Sequence, residues 1–298
     1  MLQIGTVIRR TNNFYYVDIG DSELQLCHIR ANLFHGNPKT NLVAVGDQVE
    51  IDTADSGNAG WILKLLPRRT TLSRRQSSDS KEQVLASNAD KVLVVASLCS
   101  PPFRNVLVDR LFVAGSFGGL ENVLILSKAD LSTEDEISSI KNLYLSLGYD
   151  ILVTSITESK GLDSLREIIN QHTSILCGHS GVGKSSLIKA LYPNCGIRIG
   201  EVSGKSGKGR HTTRMAEMHK LPSGGFIVDT PGIREFQPTV APHELDSHFV
   251  EFVPYLGKCR YKGCSHRHEP ECAIKEAHAS ENITEKRYKS YLSIYESL

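Results

Sequence analysis

Over the first 66 positions, apolar residues recur in short runs that alternate with polar ones and never fall at helical spacing. The runs are GTVIRR, FYYVDI after Asn12-Asn13, LQLCHI, DQVEI after Val45-Gly46, and GWILKLL after Gly57-Asn58. Five such runs, separated by turn signals about every ten residues, predict a small five-stranded β-barrel of the OB type. Pro67 to Ser80 carries Arg68, Arg69, Arg74 and Arg75 among Thr, Ser and Gln with almost no apolar period, and reads as a basic linker. Farther on the pattern changes to unbroken apolar runs, KVLVVASL (91–98), NVLILS (122–127), DILVTS (150–155), SILC (174–177) and GFIVD (225–229). Helical stretches between several of them predict a mostly parallel sheet covered on both faces.

One helix is well marked: Ser132 as cap, Glu134, Asp135 and Glu136 in the first turn, a face of Ile137, Ile140, Leu143, Tyr144 and Leu147, and Gly148 as its end. Leu162, Leu165, Ile168 and Ile169 form a second amphipathic face, and Lys184 to Tyr192 a third helix. After Gly232 the chain turns polar and irregular, then ends in helical sequence from Ile283 with Tyr288, Tyr291 and Leu292 on one side. Without internal repeats, this predicts three domains: a barrel over 1–70, an α/β domain over 71–235 and a mainly helical domain over 236–298.

Composition narrows the class. With 40% hydrophobic and 22% charged residues, the 298-residue chain is neither disordered nor fibrous. Lys+Arg 34 against Asp+Glu 33 leaves a net charge of +1, so a polyanionic partner must be met by local patches. No run approaches the length of a membrane helix and the start lacks the order of a signal peptide, so a cytoplasmic location away from membranes is expected. Of seven cysteines, Cys27, Cys99, Cys177 and Cys195 are scattered and read as buried small hydrophobes. Cys259, Cys264 and Cys272 crowd beside His266, which suits a metal in a reducing compartment.

Gly178-His179-Ser180-Gly181-Val182-Gly183-Lys184-Ser185 fits the phosphate-loop pattern G-x-x-x-x-G-K-[ST], after a strand and before the helical KSSLIKALY, in which Ser186 follows. Its amides and helix N-terminus would wrap phosphates, Lys184 would reach the β and γ oxygens, and Ser185 would ligate Mg²⁺. Asp229-Thr230-Pro231-Gly232 reads as D-x-x-G, with Asp229 holding Mg²⁺ through water and the Gly232 amide sensing the γ-phosphate. Ser127-Lys128-Ala129-Asp130 resembles the [NT]-K-x-D signature of guanine readers, with Ser127 where Asn or Thr is usual. A carboxylate at Asp130 accepts from both guanine N1–H and the exocyclic amine, a donor pair that adenine lacks. Thr154-Ser155 falls where a further base-contacting loop would lie, giving Ser155 a place in the site.

The base-reading element precedes the phosphate loop by about fifty residues, the reverse of the usual GTPase order. The domain therefore reads as a circularly permuted P-loop GTPase, whose D-T-P-G switch runs straight into the C-terminal domain and could move it. Between the phosphate loop and that switch, Gly204 to Arg214 reads as a mobile loop in which Thr212 or Thr213 would sense Mg²⁺ and γ-phosphate, Thr213 being the expected metal ligand. Ile233 stands where a water-orienting Gln occurs in Ras-like enzymes, which makes His211 the candidate catalytic residue. Cys259-x4-Cys264-x-His266-x5-Cys272 supplies three thiolates and an imidazole for one structural Zn²⁺, with His268 as an alternative to His266. Lys258, Arg260, Lys262 and Arg267 surround these ligands as a basic knob suited to RNA.

Taken in order, the barrel, SKAD, GHSGVGKSS, GRHTT, DTPG and the Cys/Cys/His/Cys cluster resemble the ribosome small-subunit-dependent GTPase A family (RsgA, also called YjeQ or YloQ) along essentially the whole chain. The resemblance implies an OB-fold, a permuted G domain and a zinc domain in a monomer that cycles between GTP and GDP. It further implies that the protein acts on 16S rRNA in late maturation of the 30S subunit, with subunit-stimulated hydrolysis driving release. Arg68, Arg69, Arg74, Arg75 and the barrel would then contact rRNA. Rival readings are a non-catalytic GTP sensor on RNA and a P-loop ATPase with a zinc tail.

Overall fold

The structure is a computed structural model that describes residues 2–11, 14–20, 23–30, 42–53, 59–75, 82–193, 216–230 and 235–298. The alternating N-terminal runs form β1 (Leu2–Arg10), β2 (Tyr15–Asp18), β3 (Gln25–Ile29), β4 (Gln48–Asp52) and β5 (Gly60–Leu65). β1 pairs with both β2 and β4, β3 pairs in parallel with β5, and β5 pairs with β4, which closes the ring β1-β2-β3-β5-β4. This is the OB connectivity. Val7, Val17, Cys27, Val49, Ile51 and Ile62 point inward and are buried together.

The described part of the expected basic linker, residues 67–75, is a structured seam. Thr71–Arg75 is a strand, β6, paired antiparallel with β7 (Glu82–Ser87). Arg68 makes a two-pronged ion pair with the fully buried Asp47 (2.7 and 2.8 Å), and Arg69 lies 2.6 Å from Asp90. Arg74 donates to Gln83, and Arg75 to the Leu298 carbonyl at the far end of the chain. The segment read as a linker because most of the groups that bind its arginines are distant in sequence. Since Arg68 neutralises a buried carboxylate, it holds the barrel on the α/β unit and is not offered to a polyanion.

The α/β unit contains β8 (Lys91–Ser97), β9 (Glu121–Ser127), β10 (Asp150–Val153), β11 (Thr173–Cys177), β12 (Glu217–Lys220) and β13 (Phe226–Asp229), in the order β10-β9-β8-β11-β13-β12. All pair in parallel except β12. The apolar runs are unbroken because successive residues feed opposite cores. Val92, Val94, Leu124 and Leu126 pack with α1 (Asn105–Phe117) and α2 (Glu134–Leu145). Leu93, Val95, Val123 and Ile125 pack with α3 (Leu162–Ile169) and α4 (Lys184–Leu191). The cap of α2 is Thr133, not Ser132, since only Thr133 stands three residues before Glu136: its hydroxyl accepts from the Glu136 amide and the Glu136 carboxylate accepts from the Thr133 amide. β12, with Met218 its only buried apolar residue, carries no readable strand pattern, yet its Glu217 pairs with Arg9 of β1 and joins barrel and α/β sheet.

The C-terminal part packs short 3₁₀ turns (Pro242–His248, Val253–Tyr255), α5 (Ala273–Ala279) and α6 (Glu285–Ser297) around Leu245, Phe249, Phe252, Ile274, Tyr291 and Ile294, a core that also takes in Val113 of α1. Arg287 of α6 is buried where it meets Asp109 of α1 and donates to Glu251 at 2.6 Å, while the Tyr144 hydroxyl of α2 donates to Asp109 at 2.8 Å. Burial pushes the Asp109 carboxyl up and the Arg287 guanidinium opposes it. Among the described residues no helix is long and apolar enough to cross a membrane.

Candidate functional site

Parallel pairing puts the C-terminal ends of β9, β10, β11 and β13 along one edge of the sheet, and the four nucleotide motifs leave from those ends. The phosphate loop turns through Gly178 (φ 145°), Gly181 (φ 87°) and Gly183 (φ 96°), the last capping α4. At Gly178 glycine is obligatory, since a Cβ would lie 2.1 Å from the Val95 carbonyl. Lys184 is buried and its ammonium donates to the carbonyls of Gly178 (2.8 Å) and His179 (3.1 Å), so it points back into the loop. Burial lowers its pKa, and the charge of Asp229 opposes that shift. Ser185 is half-buried in the first turn of α4, beside exposed Ser186, and Ser180 is exposed at the loop tip.

The 127–130 loop is bonded to the glycine-rich loop before α4. The Ser127 hydroxyl is buried 2.6 Å from the Val182 carbonyl, and the Lys128 ammonium donates to the carbonyls of Gly181 (2.7 Å) and Ser100 (2.6 Å). These bonds hold Lys128 in a left-handed conformation (φ 56°) that a lysine rarely adopts. Ser127 therefore departs from the usual Asn or Thr and still makes the tie between the two loops. Ala129 and Asp130 follow in a 3₁₀ turn. The Ser155 hydroxyl donates to the Asp130 carboxylate at 2.6 Å, and this bond is the main cause holding that carboxyl below its ordinary range. Losing the Ser127 tie should cost about 1 kcal/mol, so Ser127→Ala is expected to weaken GTP binding about five-fold. Titration with a fluorescent guanine nucleotide reads this directly.

Asp229 is the register partner of Leu176, and Thr230 donates to the Leu176 carbonyl at 2.8 Å, fixing the start of the D-x-x-G turn against the phosphate-loop strand. Sequence reading assigned Thr230 and Ser100 no part, because a bond to a backbone carbonyl leaves no motif. Gly232, Ile233, His211, Thr212, Thr213 and Cys195 lie outside the described residues. Cys27 and Cys177 are buried as expected, whereas Cys99 is exposed, its thiol donating to the Leu131 carbonyl at 2.9 Å.

The second constellation is at the C-terminal module. Cys259, Cys264, His266 and Cys272 present ligand atoms all within 4.8 Å of one another. His266 Nδ1 is 3.6 Å from Cys259 Sγ and 3.4 Å from Cys272 Sγ, and the two sulfurs are 3.8 Å apart. Zn–S bonds of about 2.3 Å imply tetrahedral edges of about 3.8 Å, so the donor set fits zinc. His266 Nε2 meets the Asp246 carboxylate at 3.1 Å and the Tyr288 hydroxyl donates to the His266 carbonyl at 2.7 Å, which turns Nδ1 toward the thiols. His268 is exposed and outside the group. Asp246, 20 residues upstream of His266, was not visible as a partner in the sequence. Of the basic residues around the cluster, Arg260 pairs with Glu271 and Arg267 with Glu296, while Lys258 and Lys262 are exposed.

A family model described as RsgA GTPase matches residues 65–239. The chain belongs to the RsgA GTPase family. It is accordingly an enzyme that hydrolyses GTP. It is similar to the small ribosomal subunit biogenesis GTPase RsgA of Chlorobaculum parvum, at 38% identity over 99% of this chain and 97% of the relative. It is likewise similar to that of Moorella thermoacetica, at 38% over 97% and 95%. Among solved structures, YjeQ from Thermotoga maritima matches with a TM-score of 0.76 at 30% identity, covering 100% of this chain and 99% of that one. YloQ, described as a circularly permuted GTPase, matches with a TM-score of 0.70 at 28% identity, covering 100% and 95%. The permuted order of motifs, the OB barrel and the helical C-terminal module are thus the architecture of RsgA proteins.

Proposed function

We propose that this chain is a GTPase of small ribosomal subunit assembly, binding the 30S subunit and its 16S rRNA in the cytoplasm as a monomer and leaving when it hydrolyses GTP. Its work would be divided among a barrel (1–70), a permuted G domain (71–235) and a zinc module (236–298). The observation that carries the nucleotide reading is the bonded contact of the two loops, Lys128 to Gly181 and Ser127 to Val182, which puts Asp130 beside the phosphate cradle. Guanine would be read by Asp130, with Ser127, Lys128, Ala129 and Ser155 shaping the loop around it. The amides of Gly178 to Ser186 and the Lys184 ammonium would hold the phosphates.

Mg²⁺, when bound, neutralises charge on the β and γ oxygens, and Ser185, Thr213 and Asp229 are the groups that would hold it. Gly232 and Thr212 would report the γ-phosphate, and His211 would orient the water that attacks phosphorus as the bond to GDP breaks, giving GDP and inorganic phosphate. Zinc on Cys259, Cys264, His266 and Cys272 would brace the module without chemistry of its own. The assignment to the small subunit is supported by the names of relatives that align over nearly the full chain.

GTP and ATP hydrolysis, measured alone and with 30S subunits, 50S subunits or 70S ribosomes, tests the reading. Stimulation by 30S confined to GTP and weakened in Asp130→Asn is expected. Equal ATP turnover or indifference to 30S would overturn it in favour of an ATPase or a non-catalytic sensor. For the metal, zinc should bind one per chain and fail to do so in Cys272→Ser. Asp246→Ala should lower zinc affinity about 10- to 100-fold in competition with a chromophoric chelator.

A further inference from the structure

The outer surface of the barrel carries a row of three aromatic rings on neighbouring strands. Phe14 stands just before β2, His28 lies on β3 and Trp61 on β5, the latter two being register partners. Ring centroids are 4.7 Å apart from Phe14 to His28 and 5.4 Å from His28 to Trp61, with planes tilted by 45° and 37°. The interior of the same strands is filled by Val17, Cys27 and Ile62, so the row belongs to the opposite face. Trp61 is 41% exposed, and Phe14 and His28 are half-buried.

Cationic groups flank the row. Arg30 is exposed two residues beyond His28, and the Arg9 guanidinium lies 3.9 Å over the ring of Tyr16, also 3.6 Å from Glu217. Asp52, opposite Trp61 on β4, bounds the row on the other side. A partly exposed aromatic row on the same barrel face as arginines suits unpaired bases joined by phosphates, and the β2–β3 face is the one with which barrels of this connectivity bind oligonucleotides.

We propose that Phe14, His28 and Trp61 form a stacking platform for unpaired bases of single-stranded RNA, with Arg9 and Arg30 meeting its phosphates. The inference rests on the reading of RNA as a partner and adds where and in what form it binds. A duplex keeps its bases stacked on one another and can offer this row only its phosphates.

Trp61 is the single tryptophan of the chain, so intrinsic emission reports on this row alone. The full-length protein is titrated with a short oligouridylate and with a duplex of equal length at fixed ionic strength, while anisotropy of dye-labelled RNA measures binding independently. Saturable quenching by the single strand, little by the duplex, and a roughly ten-fold loss of single-strand affinity in Phe14→Leu and Trp61→Leu are expected. Hydrolysis of GTP without ribosomes should be unchanged in both variants. RNA binding by anisotropy with unaltered Trp61 emission, or undiminished affinity in both variants, would overturn the platform and leave the RNA reading standing. Absence of binding in both measurements would overturn both. The wild-type titration decides even if a variant fails to fold.

Discussion

Replacing Lys184 by alanine lowers kcat/KM for GTP by roughly 10²- to 10³-fold, the usual cost of removing one preorganised charge from a phosphoryl-transfer site. The expectation follows from where the side chain sits. Lys184 is buried at the root of α4, its ammonium rests on the carbonyls of Gly178 and His179, and the charge of Asp229 favours its cationic form against burial. Lys128, the cation of the adjoining loop, does not replace it, for it is committed to the carbonyls of Ser100 and Gly181. Single-turnover hydrolysis with saturating 30S subunits checks this, and the melting temperature of the nucleotide-free variant separates a local from a global effect. A loss smaller than ten-fold would mean that the loop amides alone carry the phosphates.

Arg287→Met is expected to destabilise the folded chain by about 3–5 kcal/mol, because it leaves two carboxylates buried without their cation. Asp109 and Glu251 converge on the guanidinium from α1 and from the segment before Val253–Tyr255, and Tyr144 also donates to Asp109. Adding Asp109→Asn and Glu251→Gln to the same chain should recover most of the loss, since the penalty lies in unpaired charge and not in lost volume. Urea denaturation of the zinc-loaded protein, followed by far-ultraviolet circular dichroism, measures both. The clamp also bears on signalling. The D-T-P-G switch leads directly into the C-terminal module along the chain, yet that module is also fastened to α1 through Arg287 and Val113. α1 begins where Phe103 and Arg104 border a cavity shared with Gly178, His179 and Val182 of the phosphate loop. The module is therefore tied to the nucleotide site by two routes, and Arg287→Met should reduce 30S-stimulated hydrolysis more than hydrolysis without ribosomes.

Much of this was legible in the order of residues. Alternation in β1 to β5 and the unbroken runs of β8, β9 and β11 identify a barrel and a two-sided parallel sheet, because strand pleat and burial act on each residue locally. The phosphate loop, SKAD, D-T-P-G and the Cys/His cluster are contiguous or nearly so, and their chemistry requires particular residue types at short spacings. The same locality explains the errors. Ser132 and Thr133 are both good caps, and only the reach of Glu136 selects the second. Pro67 to Ser80 read as a basic linker because the partners of its arginines leave no local pattern: Asp47 for Arg68, Asp90 for Arg69, Gln83 for Arg74 and Leu298 for Arg75.

The sequence by itself determined the classes of structure and the chemical groups of the nucleotide and metal sites, since local periodicity and fixed short spacings survive without a fold. Only the tertiary structure decided which groups meet. It joined β12 to β1, set Asp246 behind His266, seated Ser127 on the phosphate loop and closed Arg287 on Asp109. Each of these contacts is a pairing of charge, hydrogen bond or strand edge across long stretches of chain, and a pairing has no signature in either partner alone.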